Sequence, residues 1–200
     1  MNKLTREQLM SLEEYAEQRG RFRADVMAHK RNRKLLLGSN IRILFEDFKT
    51  IQYQIQEMLR IEKIFERAGI EDELEAYNPL IPDGKNLKAT MMIEYDDPIE
   101  RKQRLAELIG VEKVVYLQVE GFEQVYPITN EDMQRQTEDK TSSVHFLRFE
   151  FSHDMIAAWR SGANIVAGLD HPNYQVVATA LDDNLKRALE EDFTPAVMIH

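Results

Sequence analysis

Between Ile41 and Phe65 the apolar residues recur at alternating spacings of three and four, the clearest periodicity in the chain. Ile41, Leu44, Phe48, Ile51, Ile55, Met58 and Phe65 form one stripe, interrupted only by Glu62. Glu46, Thr50, Gln54, Glu57 and Arg60 make a polar rear face. This period predicts one helix over about 40–68, roughly 43 Å long, capped by Ser39 or Asn40 and ended at Gly69. A seam of that length needs a partner, either the preceding helices or a second copy of the chain. A homodimer is the expectation.

Upstream, Thr5-Arg6-Glu7-Gln8 fits a capping box, and Leu9, Leu12 and Ala16 follow on one face. A helix over about 5–18 is expected, stopped near Gly20. Residues 19–34 read as a further helix with Phe22, Val26 and His29 on one side. A short helix over about 71–77 precedes Asn78-Pro79-Leu80-Ile81-Pro82-Asp83-Gly84, the strongest break in the sequence.

Beyond that break the period shortens to two. Strands are expected over 87–95, 113–119, 124–128 and 144–151, with shorter ones at 165–168 and 175–179. Asp97 and Ser152 cap two intervening helices, and a last helix spans 183–192. Residues 130–143 are polar and read as a mobile loop. Helices first and strands afterwards argue for an α+β fold. It has an N-terminal helical unit with one long helix, then a mostly antiparallel sheet with flanking helices. Residues 1–84 form the helical region, and residues 85–200 the sheet region packed on it.

Composition narrows the chemistry. The 200 residues contain no cysteine, which removes disulfides, thiolate metal sites and cysteine nucleophiles together. No apolar run is long enough to span a bilayer, and the N-terminus carries no secretory signal, so a cytoplasmic protein without membrane association is expected. Charge is distributed unevenly. Residues 19–34 hold seven of the 26 Lys/Arg and one of the 35 acids, +6 against −15 for the remainder. Such an island attracts anions: nucleic acid, an anionic small ligand or an acidic protein. The acidic remainder and the lack of any nucleic-acid-binding signature argue against nucleic acid.

No constellation names a reaction, so catalytic residues stay unassigned and whether the chain is an enzyme stays open. Glu150-Phe151-Ser152-His153 has Glu-x-x-His spacing but straddles a strand-to-helix junction, and it lacks the second pair a metal site requires. Gly38, Gly69, Gly110 and Gly162 all fall at expected helix ends, which excludes phosphate-cradling and dinucleotide-binding loops. No metal and no cofactor is expected. A carboxylate at Glu62, inside an apolar seam, and the Asp170-His171-Pro172 loop are weaker candidates. If a small-ligand pocket lies between the long helix and the sheet, its polar groups would be Arg31, Arg33, Glu46, Gln54, Glu57 and Arg60, with His171 and Tyr174 at the rim.

Several segments resemble a bacterial family of uncharacterised proteins with a domain of unknown function. They are Lys30-Arg31-Asn32-Arg33, Leu37-Gly38, Leu44-Phe45-Glu46, Thr50, Tyr53 to Glu62, Tyr77 to Pro82, Ile93 to Pro98 and Asp170 to Tyr174, spread over nearly the whole chain. Membership of that family would imply genes that tend to sit beside those for rubrerythrin-like and iron–sulfur or flavin oxidoreductases. The resemblance therefore implies an accessory role in redox or oxidative-stress metabolism, with an acidic redox protein as a partner that holds the metals itself.

Overall fold

The computed structural model describes residues 3–129, 131 and 140–193. The residues expected to form a mobile loop lie largely outside this set. Among the described residues, six α-helices and two antiparallel sheets make the fold α+β, as the element order implied.

The first helix, α1, runs over Leu12–Arg31. Its start is fixed by Ser11, whose hydroxyl accepts the Glu14 N–H while the Glu14 carboxylate accepts the Ser11 N–H. The expected helix at 5–18 is thus displaced: Thr5 and Gln8 cap only one 3-10 turn, Arg6–Gln8. Gly20 does not stop α1. It is exposed with nothing within 4 Å of a built Cβ, and a glycine there costs about 1 kcal/mol relative to alanine, too little to break a helix capped at its start and docked along its length.

Residues 34–46 are not helical. β1 (Lys34–Leu37) and β2 (Ile41–Glu46) form a hairpin, and α2 begins only at Phe48, running to Glu62. The single helix expected over 40–68 is therefore a strand, a helix and the first residues of α3 (Arg67–Tyr77). Ile41, Ile43 and Phe45 also satisfy a two-residue period, and β-branched residues favour the pleated alternative once a neighbouring strand is available. Asp47 then caps α2 through a reciprocal bond with Thr50. Lys63, at φ +56°, ends it.

Downstream lie β3 (Asn86–Ile93), α4 (Pro98–Glu107), β4 (Val115–Val119), β5 (Gln124–Val125), β6 (Ile128–Thr129) and β7 (Val144–Glu150). They are followed by α5 (His153–Arg160), β8 (Ile165–His171), β9 (Tyr174–Ala180), α6 (Asp183–Glu190) and a 3-10 turn, Glu191–Phe193. One sheet has the order β1-β2-β3-β7-β6 and the other β5-β4-β8-β9. Because β1 and β2 pair into the sheet containing β3, residues 1–84 are not a purely helical region.

Alternate residues of β2, β3 and β7 (Ile43, Phe45, Leu87, Met91, Phe149) share one core with Val115, Leu117 and Leu169 of the second sheet. Phe151, Trp159 and Phe193 close one end in mutually edge-on contacts. The helices build a second, smaller core from Leu4, Ile51, Ile55, Leu59, Leu74 and Ile81. Most of the stripe that suggested a homodimer is consumed there and between the sheets, while Phe65 stays exposed. Among the described residues no helix is long and apolar enough to cross a membrane.

Candidate functional site

The basic island lies on α1, and much of it docks that helix onto α2. Arg19 meets Glu57 through two bonds, at 2.7 and 3.0 Å, and Tyr15 donates to the same carboxylate at 2.7 Å. Asp25 pairs with Lys49 at 2.6 Å, and Lys30 lies 5.5 Å over the Tyr53 ring. His29 contacts Asp47 at 2.5 Å. The Arg19 guanidinium, outweighing burial, holds Glu57 down to about 2.

Arg33 is only 1% exposed. It donates to the carbonyls of Phe45 (3.0 Å), Ala188 (2.9 Å) and Glu46 (3.3 Å) and to the Asp192 carboxylate. Asp47 approaches its Nε at 3.5 Å. Burial pushes Asp192 up to about 7 despite that contact, with Asp47 and Glu191 adding repulsion. Burial also opposes ionisation of Asp47, but the bond from His29 and the Arg33 charge outweigh it and leave its pKa lowered. Glu46 has both oxygens occupied, by Thr50 Oγ1 at 2.5 Å and Thr90 Oγ1 at 2.6 Å. Arg33 and Glu46 therefore tie β2, α2, α6 and the last turn together, with no side-chain atom left over for a ligand.

His171 and Tyr174 lie elsewhere, in the β8–β9 hairpin. His171 Nε2 donates to the Ile109 carbonyl (3.1 Å), and its Nδ1 accepts the Asn173 N–H (3.2 Å). The Tyr174 hydroxyl donates to the Leu37 carbonyl (2.8 Å) and accepts the Asn40 N–H (3.0 Å), clamping the β1–β2 turn. Asp170 and His171 belong to a strand, where the sequence suggested a loop. Arg31, Arg60 and Glu62 are exposed, Arg60 bonding Glu57, and Gln54 is half-buried on α2. The eight expected residues do not converge on a common cavity.

A cavity does lie between helices and sheet, lined by other residues. The even-numbered positions of β3 and the register partners on β7 face away from the inter-sheet core. There Lys88 stands opposite Arg148. α2, α3 and the turn after α3 overhang this face and leave a groove of about 750 Å³. Its walls are Met58, Ala76, Tyr77, Pro79, Leu80 and Phe146, with Glu73, Lys88, Glu131 and Arg148 as its charged groups. Arg148 is held by Glu131 through two bonds (2.8 and 2.7 Å) and by Glu150. Lys88 differs: among the described residues no hydrogen bond or ion pair engages its ammonium. Burial and then the Arg148 charge lower its pKa. Burial, followed by Glu62 and Asp72, raises that of Glu73.

Sequence reasoning missed both cations. The one available signal is alternation: Lys88 between Leu87 and Ala89, and Arg148 between Leu147 and Phe149, place each on the face opposite the core. Among the described residues no three His, Asp or Glu side chains gather as metal ligands would. Glu112 is fully buried in the turn before β4, and neither of its carboxylate oxygens has a partner among the described residues; it lines none of the cavities described here.

A model of a protein family of unknown function, DUF3501, matches residues 3–193. A solved structure from Burkholderia pseudomallei K96243, described as a novel protein of unknown function, is 48% identical. It superposes with a TM-score of 0.92 over 96% of this chain and 100% of that one. No curated protein matches the chain. The chain belongs to the DUF3501 family.

Proposed function

We propose that this member of a family of unknown function binds a small, largely apolar molecule bearing one acceptor group, a carboxylate or a carbonyl, in the groove between α2–α3 and β3–β7. The observation that supports the reading most directly is the Lys88 ammonium, uncommitted among the described residues, in a cavity with mostly apolar walls. A half-buried cation without a partner is costly, and a ligand acceptor would remove that cost. Arg148 cannot play this part, because two carboxylates already occupy it. The volume lies within the few hundred to about 1,000 Å³ typical of small-molecule sites.

Octanoate is a suitable probe, measured by titration calorimetry. Lys88→Met, which keeps length and removes charge, should weaken binding about tenfold or more, the worth of one hydrogen bond to a charged group. Octanoate that does not bind, or that binds wild type and variant equally, would remove this reading.

A second reading is an accessory, partner-binding role linked to redox metabolism. Its structural support is the exposed part of the island: Arg21, Arg23, Arg31 and Lys34 lie open to an acidic protein surface.

A further inference from the structure

We infer that Lys88 forms an imine with its ligand, so that the groove takes aldehydes or ketones with an apolar body. This rests on the groove being a ligand site, and it deepens that reading by naming the chemistry of the acceptor. The step requires a neutral amine. An ordinary lysine at pH 7 is neutral in only about one molecule in 2,500. Three features of the groove shift that balance for Lys88. The side chain is half-buried beside Met58, Leu80 and Phe146, where an ammonium is poorly solvated. The register places Arg148 directly across from it on β7, with Cβ atoms about 5 Å apart by ordinary sheet geometry. Glu131 and Glu150 fix that cation in place, so it stays as a permanent like charge. The carboxylates of Glu131, Asp83 and Glu150 pull the other way, but burial and the Arg148 charge outweigh them, and among the described residues no hydrogen bond or ion pair holds the ammonium.

The reaction is a condensation. The Lys88 nitrogen lone pair attacks the carbonyl carbon, and the oxygen takes up a proton as the nitrogen gives one up, yielding a carbinolamine. The nitrogen then forms the C=N bond while the hydroxyl departs as water with a second proton. Amine plus carbonyl becomes imine plus water, without an oxidant or reductant. Glu73 lines the same groove, and burial favours its protonated form, so it is the acid positioned to protonate the departing hydroxyl. The apolar walls restrict the water that would reverse the step.

The test uses the full chain with hexanal and cyanoborohydride, read by peptide mass spectrometry. Lys88 should be trapped at least tenfold faster than the exposed Lys102 or Lys113, and octanoate should suppress that trapping. Lys88→Arg keeps the charge but cannot form an imine; it should retain octanoate binding and native unfolding behaviour while losing the selective adduct. Trapping at Lys88 no faster than at Lys102 would overturn the inference. If octanoate still bound in a Lys88-dependent way, the groove reading would stand and only the imine would fall. If neither probe entered the groove, both would fall.

Discussion

Replacing Arg33 with methionine tests whether the buried charge network holds the two ends of the chain together. Arg33 is almost wholly buried and gives three backbone carbonyls their bonds, in addition to meeting Asp192. Methionine fills most of the volume, so the main loss is polar. Three stranded acceptors at about 1 kcal/mol each predict a destabilisation near 3 kcal/mol at pH 5. At higher pH Asp192 adds to it. Its pKa in the folded chain, about 7, lies above the ordinary value of 3.8. The folded state therefore holds this proton more tightly than the unfolded chain does. The resulting stabilisation is complete below about pH 4 and is lost as pH rises through 7.

Arg33 is the group that limits this elevation. Without it the Asp192 pKa climbs further, and each unit costs the variant about 1.4 kcal/mol once the pH exceeds the new value. The gap between wild type and variant should therefore widen from about 3 kcal/mol at pH 5 to about 4–5 at pH 8.5, the range for a broken buried pair. Urea titration followed by Trp159, the only tryptophan, reads the transition directly, since its ring packs on Phe193 and its N–H bonds the Lys186 carbonyl. Adding Asp192→Asn to the variant should remove most of the pH dependence. A loss under about 1 kcal/mol, or an equal loss at both pH values, would refute the reasoning.

Two further expectations concern other parts of the fold. Gly38→Ala should cost about 2–3 kcal/mol by the same titration, because φ is +67° and the new Cβ would stand 2.4 Å from the Tyr174 hydroxyl oxygen; pairing it with Tyr174→Phe should cost less than the two separate losses combined. Charge reversal of Arg21, Arg23, Arg31 and Lys34 should leave stability nearly unchanged but abolish capture of an acidic partner protein in a pull-down; sub-micromolar duplex binding at physiological salt, lost in that variant while no protein is lost, would point to nucleic acid instead.

Local chemistry made parts of the fold legible in the sequence. Asp97 and Ser152 cap α4 and α5 as their positions imply, since a cap depends on three or four neighbouring residues. β3 and β7 were readable for the same reason, through a two-residue period that Met92, His145 and Phe146 blur without erasing. The 34–46 hairpin was not. Its apolar positions fit both periods, and what decides between them is β3, about fifty residues away, with which β2 pairs over its full length. The candidate site failed on similar grounds. Arg33, Glu46 and Glu57 were recognisable as unusual polar residues near apolar ones, but a sequence does not show whether such a residue is already bonded. All three are. Lys88 looked ordinary, and its distinction is that among the described residues no hydrogen bond or ion pair engages its ammonium.

That contrast bears on what the charges of this chain do. α1 has few apolar residues to bury, so its attachment to α2 depends on paired side chains: Arg19 and Tyr15 on Glu57, Asp25 on Lys49, His29 on Asp47. Exposed pairs contribute little singly, yet partly buried ones arranged along a helix fix its register, because a slip would strand every member at once. An island that looks like a ligand-binding patch in one dimension is thus in large part a docking device in three. The outer face of β3 and β7 shows the reverse. α2 and α3 reach over it without filling it, and the side chains they leave uncovered include one cation with no assigned role in the fold. A cation that no hydrogen bond or ion pair engages among the described residues, bordering a space large enough for a small molecule, is best explained by what enters that space.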